Sequence, residues 1–101
     1  MEIDFKALGM PVFTGRSRGE GLRKQLGLDS IPDGEVVRVK IPVDVYAITS
    51  SYFLGLFGPS IRKEGSPEAF FARFEFVGPP HIMEAVSDFV SRALREQKPL
   101  F

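Results

Sequence analysis

Three hydroxyls in a row, Thr49-Ser50-Ser51, stand between an apolar run and a segment with helical spacing, and they are the residues best placed to do chemistry. At a helix start they meet unsatisfied backbone N–H groups and the positive end of the helix dipole. A hydroxyl there can cap the helix, help to hold an anion, or accept a phosphate, and Ser51 is the residue expected to be the cap. The cap alone contributes about 1 kcal/mol. A phosphate on Ser51 would add roughly −1.5 to −2 charges at pH 7 and, in a first helical turn, would act on a partner rather than unfold the helix.

A second group of residues precedes the first predicted helix. In Gly15-Arg16-Ser17-Arg18-Gly19-Glu20-Gly21, the stretch Ser17–Glu20 has the spacing of a capping box. The segment lacks the Gly-Lys-Ser/Thr ending of a phosphate loop and the spacing of a dinucleotide fingerprint. Arg16, Arg18, Arg23 and Lys24 nevertheless flank a helix N-terminus, which favours anions. His81 is the only histidine, so no histidine-pair metal site is available, and it follows Pro80 at a helix start. General acid–base work needs an oriented partner, and the sequence points to none. No catalytic residue, metal ligand or cofactor is therefore expected.

The elements that must carry these residues follow from periodicity. Glu2–Leu8 and Met10–Phe13 are expected to form two short strands joined around Gly9 as a hairpin, with Pro11 holding the second to an edge. Leu22 and Leu26 share one face of the first helix, which Gly27 ends; Gly19 and Gly21 make that helix intrinsically poor, so packing must hold it. Pro32-Asp33-Gly34 marks a turn. Glu35–Ile41 alternates as a half-exposed strand, with Val37, Val39 and Ile41 inward.

From Ser51 to Lys63, Phe53, Leu54, Phe57 and Ile61 recur at helical spacing, and Gly58-Pro59 predicts a kink or break. Ser66-Pro67-Glu68 begins a short helical turn carrying Phe70. Ala72–Val77 reads as a strand with Phe74 and Phe76 opposite Arg73 and Glu75. After Pro79-Pro80 comes the clearest helix, with Ile82, Val86, Phe89, Val90, Ala93 and Leu94 on one broad face and Pro99 at its end.

The resulting order, β-β-α-β-α-β-α, predicts an α/β layered domain: a mixed sheet of about four strands, mainly parallel, with helices packed on it. One domain is expected over residues 1–101, with N-terminal strands in 1–14 and an α/β core in 15–98. Thirteen basic and thirteen acidic residues leave no net charge, whereas nucleic-acid binders carry a basic excess. No cysteine is present, hence no disulfide or thiolate chemistry. The start Met1-Glu2-Ile3-Asp4 lacks a signal-peptide pattern and no apolar run is membrane-length, so a cytoplasmic protein without membrane partners is expected. A monomer or a weak homodimer is expected; ten phenylalanines, among them Phe57, Phe70, Phe71 and Phe101, are what raises the dimer, through a shared apolar patch.

The stretch Ala47-Ile48-Thr49-Ser50-Ser51-Tyr52-Phe53-Leu54 resembles the strand–turn–helix junction of STAS domains, the anti-sigma factor antagonist superfamily. The closer resemblance is to a STAS-like family of unassigned function, through Arg16-Ser17, Ser51-Tyr52 and the strand Phe71–Val77; it covers about Gly15–Leu94. It implies a non-catalytic regulatory domain that docks a histidine-kinase-type ATPase or another signalling partner, with Ser51 as phosphoacceptor. The docking surface it implies comprises Arg16, Ser17, Arg18, Thr49, Ser50, Ser51, Tyr52 and Phe53. Thr49 and Tyr52 stand where the family pattern has aspartate and glycine. The alternative from the residues themselves is a small anionic ligand or nucleotide held at the helix N-termini by Arg16 and Arg18.

Overall fold

The alternation of Glu35–Ile41 becomes strand β3, Val37–Lys40, with Val37 and Val39 wholly buried and Arg38 and Lys40 exposed. The computed structural model describes residues 1–8 and 12–97. Around β3 the chain runs β1 (Glu2–Asp4), a 3-10 turn (Phe5–Leu8), β2 (Val12–Phe13), α1 (Arg16–Leu26), a 3-10 turn (Leu28–Ser30), β3, and β4 (Ala47–Ile48). It continues through α2 (Ser50–Glu64), α3 (Pro67–Arg73), β5 (Phe74–Val77) and α4 (Pro80–Gln97).

The α/β class holds, but the sheet does not have the expected layout. Strands β1, β3 and β5 form one sheet in that order, and β2 and β4 form a second; every pairing among the described residues is parallel. The expected mixed sheet and N-terminal hairpin are therefore replaced: β1 pairs with β3 and β2 with β4, instead of with each other. The physical reason is burial. Ile3 and Phe5 at the chain start and Phe13 at β2 are all core residues, and a two-strand hairpin by itself buries too little to be stable. The Gly9-Met10-Pro11 turn lies outside the described residues, as do Lys98, Pro99 and Phe101.

Alternation assigns one face of the three-stranded sheet to the core. The other carries Glu2, Asp4, Arg38, Lys40 and Glu75, with ion pairs Lys40–Glu2 at 3.3 Å and Arg38–Glu75 at 3.6 Å across the strands. Helix α2 lies at the centre. Every residue from Tyr52 to Gly58 is buried, as are Ser60 and Ile61, the pattern of a helix packed on all sides. It runs unbroken through Pro59, contrary to the expected kink or break. Proline inside a helix costs about 3 kcal/mol, yet Phe57 and Ile61 on either side are fully buried and each offsets about 1.5–3 kcal/mol.

Among the described residues the phenylalanines form two aromatic groups, Phe5 and Phe13 with Tyr52, and a larger one around Phe57. Phe57 meets Phe53, Phe70, Phe74 and Phe76 at centroid distances of 5.0–6.1 Å, and Phe70 stacks on Phe74 at 4.8 Å. Phe57 and Phe70 are therefore core, not the exposed patch expected to drive dimerisation. The expected strand Ala72–Val77 begins two residues later, because Ala72 and Arg73 end α3. The helical turn expected from Ser66 is α3, and Ser66 caps it, its hydroxyl accepting from Ala69 N–H at 3.1 Å. Among the described residues no helix is long and apolar enough to cross a membrane.

Candidate functional site

Two short parallel strands bring the Arg-Ser-Arg and Thr-Ser-Ser segments together. β2 and β4 lie in register, Val12 against Ala47 and Phe13 against Ile48, and each leads within a few residues into a helix. Thr49 N–H donates to the Phe13 carbonyl at 2.9 Å, so the ladder extends to the last residue before α2. The starts of α1 and α2 consequently sit side by side and their dipoles point the same way.

The two helices then pack backbone to backbone. A Cβ built on Gly19 would collide with the Tyr52 carbonyl oxygen and stand 2.9 Å from Leu56 N, and one on Gly55 would collide with the Arg16 carbonyl oxygen and stand 3.1 Å from Glu20 N. The glycines that weaken α1 as an isolated helix are thus what lets α2 approach it. The sequence offered the glycine positions but no sign of which would be crossed.

Capping differs from expectation at both starts. Helix α2 is capped by Thr49, whose Oγ1 accepts from Tyr52 N–H at 3.3 Å; Ser50 and Ser51 are the first two helical residues. Ser51 is therefore not the cap. Its side chain is exposed on the second helical position. At α1 the capping box does not form: Gly15, at φ 92°, is the N-cap, no side chain caps the helix, and Ser17 is itself helical and exposed. The glycine takes a backbone conformation that Arg16 or Ser17 could adopt only with strain, which moves the helix start upstream of the box.

Of the eight expected surface residues, Arg16, Ser17, Arg18 and Ser51 are exposed, while Thr49 and Ser50 are partly buried. Tyr52 and Phe53 are corrected to core residues, 3% and 1% exposed. Tyr52 packs on Phe13 at 5.4 Å and Phe53 on Phe89 at 5.4 Å. Burial raises the Tyr52 phenol above its ordinary pKa, and the nearby Arg18 charge opposes that shift.

Neither α1 nor α2 carries an acidic residue in its first turn, although carboxylates are favoured there. The adjoining helix starts therefore carry exposed Arg16, Ser17 and Arg18 on α1 and exposed Ser51 on α2, with both positive dipole ends uncompensated by carboxylates of their own.

Arg23, read from sequence as part of a basic flank, is instead a buried organiser. It is 7% exposed. Its Nη1 donates to the Leu56 carbonyl and to Ser60 Oγ, both at 2.9 Å, its Nε donates to Asp29 at 2.9 Å, and its Nη2 lies 2.8 Å from the same carboxylate oxygen. It ties α1, α2 and the turn after α1 into one body. Arg73 does similar work from the end of α3, donating to the Pro32 and Glu35 carbonyls at 2.8 and 3.1 Å and to Glu64 at 3.0 Å. Nothing in the sequence marks these two among the thirteen cations. His81 is exposed in the first turn of α4. No family model, curated protein or solved structure matches the chain.

Proposed function

We propose that this chain is a non-catalytic regulatory domain that docks a protein partner at the paired starts of α1 and α2. The observation that carries the reading is the juxtaposition of exposed Arg16, Ser17 and Arg18 with exposed Ser51, across two helix N-termini that have no carboxylate of their own in the first turn. Such a surface attracts an acidic partner, and a phosphate on Ser51 would cancel much of that attraction. The surface would then bind in one modification state and release in the other.

The resemblance of the β4–Thr49-Ser50-Ser51–α2 junction to STAS antagonists names the partner class: an ATPase-type switch kinase or related signalling protein, met in the cytoplasm. Three features support Ser51 over its neighbours as acceptor. It is exposed, it is free of the capping role that Thr49 performs, and among the described residues its hydroxyl makes no hydrogen bond. Tyr52, which stands in the place of the family's glycine, is buried and leaves the approach open.

The test is a binding and phosphorylation assay with histidine-kinase-type ATPases from the same organism. Binding that weakens about tenfold in Arg16→Glu/Arg18→Glu supports the reading, since two exposed charges reversed at a docking surface cost on the order of 1.4 kcal/mol or more. Equal binding by the wild type and this variant, or none by either, refutes it. Phosphate that persists in Ser51→Ala refutes the assignment of the acceptor alone.

A further inference from the structure

One turn beyond the helix starts, the α1–α2 contact opens into a cleft of about 380 Å³ on the outer flank of the pair, within the usual size range of small-molecule sites. Its α1 wall is the row Arg16, Glu20 and Lys24, spaced four residues apart. Its α2 wall ends in Arg62. We propose that this cleft binds a small phosphate monoester of a sugar or polyol.

The charge argument comes first. Four cations and two carboxylates line the cleft. Arg23 and Asp29 neutralise each other at 2.8 Å, leaving Arg16, Lys24 and Arg62 against Glu20, a surplus of two positive charges. Among the described residues none of those three cations has a carboxylate within 4.0 Å. A phosphate monoester carries about −1.5 to −2 charges at pH 7 and presents three acceptor oxygens to donors arriving from both walls. A carboxylate carries one charge and two oxygens, and leaves half of the surplus unbalanced.

Shape supplies the second part. Between the cationic walls the floor is Leu54, Gly55 and Pro59. Leu54 and Gly55 are buried, Gly55 packed directly on the α1 backbone, and Pro59 is exposed. That floor accepts the carbon skeleton of the ester. Arg62 is held ready: its guanidinium lies back over Gly58, 3.3 Å from where a Cβ would stand, so a glycine at 58 is what leaves room for it. Glu20, the remaining carboxylate without a partner in this cleft, accepts hydrogen bonds from ligand hydroxyls; this selects a polyol ester over inorganic phosphate. The site is distinct from the docking surface, sharing only Arg16, and does not depend on the partner reading.

Amide NMR titration of the whole chain tests it, with ribose 5-phosphate, inorganic phosphate, gluconate and ribose as probes. Ribose 5-phosphate is expected to shift resonances of residues 16–24 and 54–62 at millimolar concentration, with phosphate weaker, gluconate weaker by about tenfold, and ribose silent. Lys24→Glu/Arg62→Glu, two exposed positions whose reversal leaves the core intact, is expected to lower ribose 5-phosphate affinity by about tenfold or more. Glu20→Gln is expected to tighten inorganic phosphate, because the surplus rises from two to three positive charges, and to erase the preference for ribose 5-phosphate over it. Absence of shifts in the cleft, shifts centred elsewhere, or unchanged affinity in the double variant overturns the proposal, each with well-dispersed spectra certifying the fold. Equal binding of gluconate overturns the phosphate assignment.

Discussion

Adding one methyl group at Gly55 tests whether α1 and α2 truly meet through their backbones. In an isolated helix Gly→Ala is favourable by about 1 kcal/mol. Here the new Cβ would collide with the Arg16 carbonyl oxygen and press to 3.1 Å on both the Arg16 carbonyl carbon and Glu20 N. Those atoms belong to the backbone of a helix and cannot rotate away, so the overpacking cost falls at the upper end of the usual range, about 3 kcal/mol. The expected net loss is about 2 kcal/mol, a fall in Tm of roughly 8–16 °C for a chain of this length. Gly19→Ala meets the Tyr52 carbonyl and Leu56 N and should behave alike. Because one outward movement of α1 relieves both clashes, the double variant should cost less than the sum of the singles. Gly21, also on α1, has nothing within 4 Å of a built Cβ and is exposed; Gly21→Ala should raise stability by about 0.5–1 kcal/mol. Urea and thermal unfolding of the four variants measures all of this. If Gly55→Ala and Gly19→Ala are as stable as Gly21→Ala, the helices are not in backbone contact and the juxtaposition of Arg16 and Arg18 with Ser51 fails with it.

Four more outcomes follow from the same geometry. Arg23→Lys should cost about 1–3 kcal/mol in chemical unfolding, because a lysine cannot reproduce the fork that reaches Leu56, Ser60 and Asp29 together, whereas Asp29→Asn at its exposed end should cost under about 1 kcal/mol. Thr49→Ala should lose about 0.5–1 kcal/mol, the low end for a cap whose bond is 3.3 Å long, and Ser51→Ala should stay within about 0.5 kcal/mol of wild type; the reverse order would return the cap to Ser51. The hydrogen bond and charge of Lys63, with the charge of Arg73, hold the Asp33 carboxyl below its ordinary pKa. The contribution of that pair is therefore present above the usual carboxylate range and lost as pH falls through the lowered value, so Asp33→Asn should be less stable than wild type at neutral pH and indistinguishable in strong acid when urea midpoints are compared at low salt. Tyr52 shifts the other way: its raised pKa contributes stability below the ordinary phenol range that is lost as pH rises through the folded value, so Tyr52→Phe should hold its urea midpoint further into alkali.

Local pattern carried the elements and little of their arrangement. The β3 alternation, the helix start at Ser66-Pro67-Glu68, the Gly27 helix stop and the broad apolar face of α4 were each legible because a period or a terminus signal is written within a few residues. Pro59 misled because its penalty is local while the burial of Phe57 and Ile61 is not. The hairpin misled for the same reason: adjacent strands look like partners until a more distant strand offers more buried surface. At the candidate site the sequence located the hydroxyls and arginines, but it ordered the capping roles wrongly and took Tyr52 and Phe53 for surface.

What the sequence determined by itself is therefore the α/β class, the positions of most helices and strands, and the residues capable of meeting an anion. Those follow from side-chain chemistry and from periods that each segment carries alone. Only the tertiary structure decided that β2 and β4 pair, that α1 and α2 touch at Gly19 and Gly55 so that their starts adjoin, and that Arg16, Lys24 and Arg62 share a cleft. These are contacts between residues some 35 positions apart, roughly Gly19 with Tyr52 and Gly55 with Arg16. They arise because buried area and backbone sterics act through space, and neither leaves a local signature in the chain.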